Sequence, residues 1–283
     1  MPPRIAIAMP HSTDREYSER AIPQYERAVS LAGGKSVRIP LDGSPADVRA
    51  IVETCDGVLL PGSKADVDPT RFHQEKSPYT AAADLRREDV DEFLLEHAYR
   101  RSKPVLGICY GLQSLNVFRK GSLVQHIPEF LRDATRAKVN HEAGRTVAVA
   151  HTVSIDPDSR LARILRDGVP GPVLADVGGI AAHADKHEGG GLSRACKGAG
   201  DRALAAGDHG WAVPVNSSHH QSADTIGEGL RIVARCPEDG IIEALEATAA
   251  DHFVLAVQWH PERSLADDGY SRLVFRALIE AAG

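Results

Sequence analysis

The stretch PVLGICYGLQSLNVF, residues 104–118, sets a lone cysteine between two glycines where an apolar run gives way to helical spacing. PVLGI (104–108) is a wholly apolar strand, and Leu112, Leu115 and Phe118 then recur at three-residue steps, as one buried helix face requires. A strand passing into a helix across G-x-C-x-G (Gly107, Ile108, Cys109, Tyr110, Gly111) makes a tight corner, and its glycines remove Cβ atoms that would clash there. The helix aims its positive N-terminal end at the sulfur, which favours the thiolate, the form that attacks carbonyls. The backbone N–H of Tyr110 points into the same space and could bind a developing oxyanion. Taken alone, a cysteine at an apolar strand end is more often a structural thiol, so its partners must decide.

Working outward, the preceding half alternates strand and helix signals. RIAIAM (4–9), SVRIP (36–40) and GVLLPG (57–62) read as strands. Between them lie helical stretches from about Glu19 to Ala32 and from Pro45 through ADVRAIVE, and a third covers Leu85–Arg101. Strands separated by helices of this length predict right-handed crossovers and a parallel sheet covered on both faces. From about Arg145 the signal changes. RTVAVAHTVSI, LRIVARCP (230–237), IIEALEAT and FVLAVQWHP (253–261) read as successive strands that extend one edge of that sheet, and Asp267–Ala281 as a closing amphipathic helix. The fold class is therefore α/β: three αβα layers around a mostly parallel, flavodoxin-like sheet with an antiparallel edge extension. No linker divides the chain, so residues 1–283 read as a single domain. Residues 178–212, rich in glycine, histidine and charge, read as an insertion or lid.

Composition narrows the partners. A net charge of −6 does not favour a nucleic-acid or anionic-membrane surface, and no apolar stretch is long enough to span a bilayer. Cys55, Cys109, Cys196 and Cys236 are scattered, with no C-x-x-C pair, as in a cytoplasmic protein with reduced thiols.

A thiolate needs a proton partner. In VQWHPE (257–262) a strand delivers His260 to a sheet edge, and Glu262, two residues on in an extended chain, projects to the same side, where it could hold the imidazole in one tautomer. By itself H-P-E is a strand end with a surface carboxylate; with the elbow it forms a Cys–His–Glu arrangement for acyl transfer. In LLPGSKADVDP (59–69), a strand ending in Pro-Gly offers the N–H of Gly62 as a second oxyanion donor, although an ordinary turn has the same sequence. His183 and His187, with Cys196, His209, His219 and His220 downstream, have spacings that could serve zinc, but their glycine-rich setting favours solvated loop histidines and no metal.

Together these segments resemble the class I glutamine amidotransferase superfamily, and within it the peptidase C26 branch typified by γ-glutamyl-γ-aminobutyrate hydrolase. GICYGLQSLNV resembles the family's elbow, QWHPE its His–Glu ending, LLPGSKADVDP its glycine loop, and VNSSHHQ (215–221) a segment facing the substrate pocket. The resemblance implies Cys109 as nucleophile, His260 as general base and then acid, and Glu262 as its orienter, with Gly62 and Tyr110 as oxyanion donors. It also implies that Gln113 contacts the glutamyl moiety and that Ser218, His219 and His220 face the pocket. The implied activity is hydrolysis of a γ-glutamyl amide such as γ-glutamyl-GABA through a thioester, without cofactor or metal, the partner being a small molecule and a homodimer being compatible. Two rival readings keep the fold: a glutaminase subunit feeding ammonia to a synthetase, and a catalytically silent binding module. The chain departs from the family pattern at Tyr110, where many relatives carry arginine, at Ser63, where a second glycine is usual, and at Lys120-Gly121, where a glycine pair is usual.

Overall fold

The computed structural model describes residues 1–132, 139–166, 211–266 and 268–283. The expected insertion at 178–212 lies outside them except for its last two residues, which begin a strand.

The first half builds as its periodicities require. Strand β1 (Arg4–Ala8) is followed by helix α1 (Arg15–Leu31), β2 (Lys35–Ile39), α2 (Pro45–Glu53), β3 (Gly57–Leu60), α3 (Leu85–Arg101), β4 (Val105–Ile108) and α4 (Tyr110–Phe118). Helix starts are set by side-chain caps that accept orphan backbone N–H groups: Asp14 from Tyr17, Ser44 from Asp47 and Asp84 from Arg87. After α4 come a short β5 (Leu123–Val124), α5 (Ile127–Phe130), β6 (His151–Ile155) and α6 (Arg160–Arg166). The remainder is β7 (Trp211–Val215), a short β8 (Ser222–Ala223) paired with β5, then β9 (Leu230–Arg235), β10 (Ile242–Ala247), β11 (Val254–Val257) and α7 (Gly269–Ala282).

Nine strands form one sheet in the order β2-β1-β3-β4-β11-β10-β9-β6-β7. The pairings from β2 through β11 are parallel, and those from β11 to β7 are antiparallel. Alternate residues of the central strands feed two separate cores. Ile5, Ile7, Leu59, Leu106 and Ile108 pack with α1, α6 and α7, whereas Ala6, Ala8, Val58, Leu60 and Val105 pack with α2, α3 and α4. Both faces of β1, β3 and β4 are thus buried, which is why these strands are nearly continuous apolar runs and why the fold has three layers, whereas the edge strand β2 is partly exposed.

Two strand expectations shorten. The run from Arg145 yields a strand only at His151–Ile155: Ala143–Arg145 form a 3-10 turn, and the carbonyls of Gly144, Val147 and Ala148 accept from the Asn216 side-chain amide at 3.3, 3.0 and 3.2 Å. Val147 and Val149 are exposed instead of joining the sheet. FVLAVQWHP keeps strand geometry only to Val257, and Pro261–Arg263 make a 3-10 turn.

Candidate active site

Three neighbouring parallel strands, β3, β4 and β11, deliver the three site segments at their carboxyl ends. Gly62 follows β3, Cys109 follows β4 and His260 follows β11. Open α/β sheets place their ligand crevices at this edge.

The elbow is as tight as its glycines suggest. Cys109 has φ 54° and ψ −105°, a backbone conformation that a residue with a Cβ rarely adopts. A Cβ on Gly107 would lie 2.8 Å from the Gly111 carbonyl oxygen, and a Cβ on Gly111 would lie 2.2 Å from the Leu60 carbonyl oxygen. Both flanking positions are therefore closed to any side chain, and the start of α4 is pressed against β3 and β4. The Cys109 carbonyl accepts from the N–H groups of Leu112 and Gln113 at 3.0 and 3.3 Å, which locks the corner into the helix.

His260 sits between the other two members. Its Nδ1 lies 2.7 Å from Glu262 Oε1, and its Cε1 and the Cβ of Cys109 border the same point beside Gly62, 3.0 and 3.7 Å from where a Cβ on that glycine would stand. The link to Glu262 is made across the 3-10 turn of Pro261–Arg263 and not along an extended strand. The His260 backbone N–H donates to the Asn216 carbonyl at 2.8 Å, so VNSSHHQ fixes the main chain of this residue. Cys109, His260 and Glu262 are each at most 5% exposed. Burial disfavours an imidazolium, but the facing Glu262 and Cys109 outweigh it and push His260 up to about 9. Glu262 moves the other way: burial raises it, and the His260 charge brings it below its ordinary value.

This coupling has a stability consequence. The folded-state value of about 9 lies above the ordinary histidine value of 6.5. Its contribution is thus fully present below about pH 6.5 and is lost as pH rises through about 9. Chemical unfolding from pH 6 to 9.5 should show stability declining over that window. Glu262→Gln, which removes the main charge partner, should flatten the decline; an equal slope in both proteins would exclude the ion pair.

The Gly62 N–H, expected as a second oxyanion donor, is engaged. The Gly62 N–H donates to the Tyr25 hydroxyl at 3.0 Å, and a Cβ on Gly62 would lie 3.0 Å from His260 Cε1 and 3.7 Å from Cys109 Cβ. Gly62 therefore faces both Cys109 and His260, but its hydrogen points at Tyr25, a contact that strand-and-turn reading does not anticipate. Tyr110 opens α4, and its ring is buried under the Arg87 guanidinium, 4.9 Å from the ring centroid. Arg87 itself is fully buried and missed by pattern reading, which expects arginine outside. It pairs with Asp91 at 2.7 Å and donates to the carbonyls of Pro10 and Pro61 at 3.1 and 2.6 Å. It thereby ties the loops after β1 and β3 to the floor of the site.

The remaining expected site residues divide. Gln113 is buried one turn into α4, with its Nε2 3.4 Å from both the Gln221 carbonyl and Gln258 Oε1. Ser218 is half-buried, and His220 Nε2 lies 3.0 Å from Asp66 Oδ1. His219 differs: its Nδ1 is 2.8 Å from the Gln221 carbonyl oxygen and its Nε2 is 3.4 Å from Glu243 Oε1, so both ring nitrogens face buried groups of the interior. His183, His187, Cys196 and His209 lie outside the described residues. Among the described residues, no helix is long and apolar enough to cross a membrane.

A cysteine elbow and a His–Glu pair on adjacent parallel strands define a glutamine amidotransferase-like chain, and solved structures of that fold agree. PurLQS from Thermotoga maritima aligns with a TM-score of 0.53 and 15% identity, covering 99% of each chain. The glutaminase domain of Trypanosoma brucei CTPS with bound acivicin aligns with a TM-score of 0.52 and 17% identity, covering 98% of this chain and 93% of that one. The sequence matches the Peptidase C26 family over residues 5–170 and 181–262, and the chain belongs to that family, a family of hydrolases. The glutamine amidotransferase-like protein RP404 of Rickettsia prowazekii is 30% identical over 265 residues, covering 91% of this chain and 87% of its own length. The gamma-glutamyl-gamma-aminobutyrate hydrolase PuuD of Escherichia coli is 27% identical over 285 residues, covering 99% and 93%.

Proposed function

We propose that the protein is a cysteine-dependent hydrolase of γ-glutamyl amides, acting on a small γ-glutamyl amine such as γ-glutamyl-GABA. The observation that carries this reading is the placement of His260 between Glu262 and Cys109 at the end of β11, beside the strained elbow. The Cys109 thiolate attacks the γ-carbonyl carbon, and the carbonyl π pair moves onto oxygen. The Tyr110 N–H, at the start of α4, stabilises that oxyanion, and the Gly62 N–H joins it once the new oxygen displaces the Tyr25 hydroxyl. The His260 imidazolium then gives its proton to the leaving nitrogen as the C–N bond breaks, leaving a thioester. Neutral His260 next takes a proton from water, whose oxygen attacks the thioester carbon. Glutamate leaves and the thiolate–imidazolium pair is restored. Glu262 holds the imidazole by Nδ1 throughout, so the proton is exchanged at Nε2. We assign Gln113, Ser218 and His220 to the glutamyl side of the substrate; His219 is left out because both of its ring nitrogens face the buried Gln221 carbonyl and Glu243.

The family match over residues 5–170 and 181–262 and the hydrolase relative from Escherichia coli support the γ-glutamyl class. Glutamate release should be measured with γ-glutamyl-GABA, other γ-glutamyl amines and glutamine in parallel. The expected result is turnover of γ-glutamyl amines with kcat/KM at least about 10-fold above that for glutamine, the discrimination that a modest acceptor contact of about 1.4 kcal/mol supplies. A preference for glutamine would identify a glutaminase subunit instead. Release from none of them, with Cys109 inert to an electrophilic γ-glutamyl analogue, would indicate a silent module.

A further inference from the structure

Outside the catalytic residues, one cluster of side chains has no account in the chemistry above. His141 in the loop after residue 139, His151 on β6, His219 after β7 and Glu243 on β10 converge in the interior, all four buried. Glu243 Oε1 lies 3.1 Å from His141 Nδ1, 3.4 Å from His151 Nε2 and 3.4 Å from His219 Nε2. All four ligand atoms lie within 4.8 Å of one another. None of these three nitrogens, nor either oxygen of Glu243, makes a hydrogen bond, although every one is inaccessible to water. Five orphaned polar atoms in one small volume would be costly unless something fills the space between them.

The outer ring nitrogens show what that is. His141 Nε2 is 2.8 Å from Asp239 Oδ2, His151 Nδ1 is 2.9 Å from the Thr152 carbonyl oxygen, and His219 Nδ1 is 2.8 Å from the Gln221 carbonyl oxygen. Carbonyls only accept, so His151 and His219 carry their N–H on the outer nitrogen and turn a bare lone pair inward. The carboxylate of Asp239 sets the same tautomer for His141. Three lone pairs then face a carboxylate oxygen, an arrangement that repels itself without a cation. Histidines that bind metals are held in this way, with the outer N–H donated to a carboxylate or carbonyl. The spacing fits as well: tetrahedral zinc with bonds of about 2.0–2.1 Å places its ligands roughly 3.3–3.4 Å apart.

We propose that His141 Nδ1, His151 Nε2, His219 Nε2 and Glu243 Oε1 are the four ligands of a structural zinc ion. A set of four protein ligands without an open position matches a structural and not a catalytic centre. The ion would staple four separate segments beside the active site. Glu243 is hydrogen-bonded through its carbonyl to the Gln258 N–H at 2.8 Å, and Asn216, three residues before His219, holds the His260 N–H. The zinc would thus set the position of VNSSHHQ against the strand that carries His260.

A proton on His141 is the rival occupant. Burial opposes that charge, but Asp239, Cys236 and Glu243 push this imidazole up to about 11. One proton satisfies one edge, His141 to Glu243, and leaves the inward nitrogens of His151 and His219 facing the carboxylate with nothing between. A second group, His141, Cys236 and Asp239, also lies within ligand distance, but it would use the same His141 nitrogen that Asp239 already engages.

The test is elemental analysis of the full chain purified without chelator, followed by stripping and titration with Co(II). Expected are about one zinc per chain and, on the stripped protein, one equivalent of Co(II) with the strong visible bands of tetrahedral nitrogen and oxygen coordination. Glu243→Gln should reduce retained zinc at least tenfold, whereas Cys236→Ser should leave it unchanged. If Glu243→Gln does not fold, the Co(II) spectrum of the wild-type chain decides alone. A folded wild-type chain that carries no zinc and takes up neither zinc nor Co(II) would overturn the proposal in favour of the proton. Thiolate-to-cobalt charge transfer, or loss of metal in Cys236→Ser, would overturn it in favour of the cysteine group.

Discussion

Replacing Cys109 by alanine is expected to lower γ-glutamyl amide turnover by on the order of 10⁴-fold or more while leaving the fold and substrate affinity in place. The magnitude follows from the unit character of nucleophile, base and orienter: once the nucleophile is gone, the others have nothing to activate, and only binding and oxyanion stabilisation remain. For the same reason a Cys109→Ala, His260→Ala double variant should lose almost nothing beyond the single one. Single-turnover assays and ligand binding on the three proteins separate the alternatives. Loss of binding in Cys109→Ala would mean a structural role, and additive losses would mean that His260 does not act on Cys109.

The same position tests where the elbow keeps its strain. With φ at 54°, Cys109 holds a conformation that glycine adopts more easily. Strain of this kind costs of order 1–3 kcal/mol, against roughly 0.4–1 kcal/mol of extra unfolded-chain freedom for glycine. Cys109→Gly should therefore unfold about 1 kcal/mol later than Cys109→Ala, although both are inactive. A reversed order would place the strain elsewhere.

What the sequence discloses here depends on how local the signal is. The parallel strands were legible because burial on both faces writes continuous apolar runs, as in RIAIA and GVLL. Cys109 and His260 were legible because glycine spacing and a Pro-terminated strand mark chain geometry within a few residues. Glu262 was read correctly as the neighbour of His260 but by the wrong route, since a 3-10 turn and not an extended strand brings the two together. RTVAVA reads as strand by its alternation, yet its Val147 and Ala148 carbonyls are claimed by the side chain of Asn216, 69 and 68 residues away. Tyr25 on Gly62, Arg87 beneath Tyr110 and the His141–His151–His219–Glu243 cluster share that character. Each is assembled from distant segments, and no periodicity in any one of them announces the others.

Gly111→Ala is expected to damage both stability and turnover, although it adds one methyl group to a residue with no chemistry of its own. The added Cβ would lie 2.2 Å from the Leu60 carbonyl oxygen and 2.8 Å from Leu60 C and Cβ. Leu60 ends β3, whose ladder to β4 pairs Leu60 with Gly107, the other glycine of the elbow. No side-chain rotation can relieve a clash with backbone in the centre of a sheet, so α4 must move away from β3. Overpacking of this kind costs about 3 kcal/mol at the upper end of its usual range, which in a domain approaching this size lowers Tm by roughly 6–12 °C. The displacement also moves Cys109, because its carbonyl is bonded to the first turn of the same helix at Leu112 and Gln113. Turnover below Tm should therefore fall at least about 100-fold, the cost of a 1 Å misplacement at a reacting centre. Differential scanning calorimetry and initial rates on one preparation separate the two effects. A stable but inactive variant would show that the close approach serves only the geometry of the nucleophile. Wild-type Tm with wild-type turnover would show that β3 and α4 can part without cost, and the elbow would then need another support.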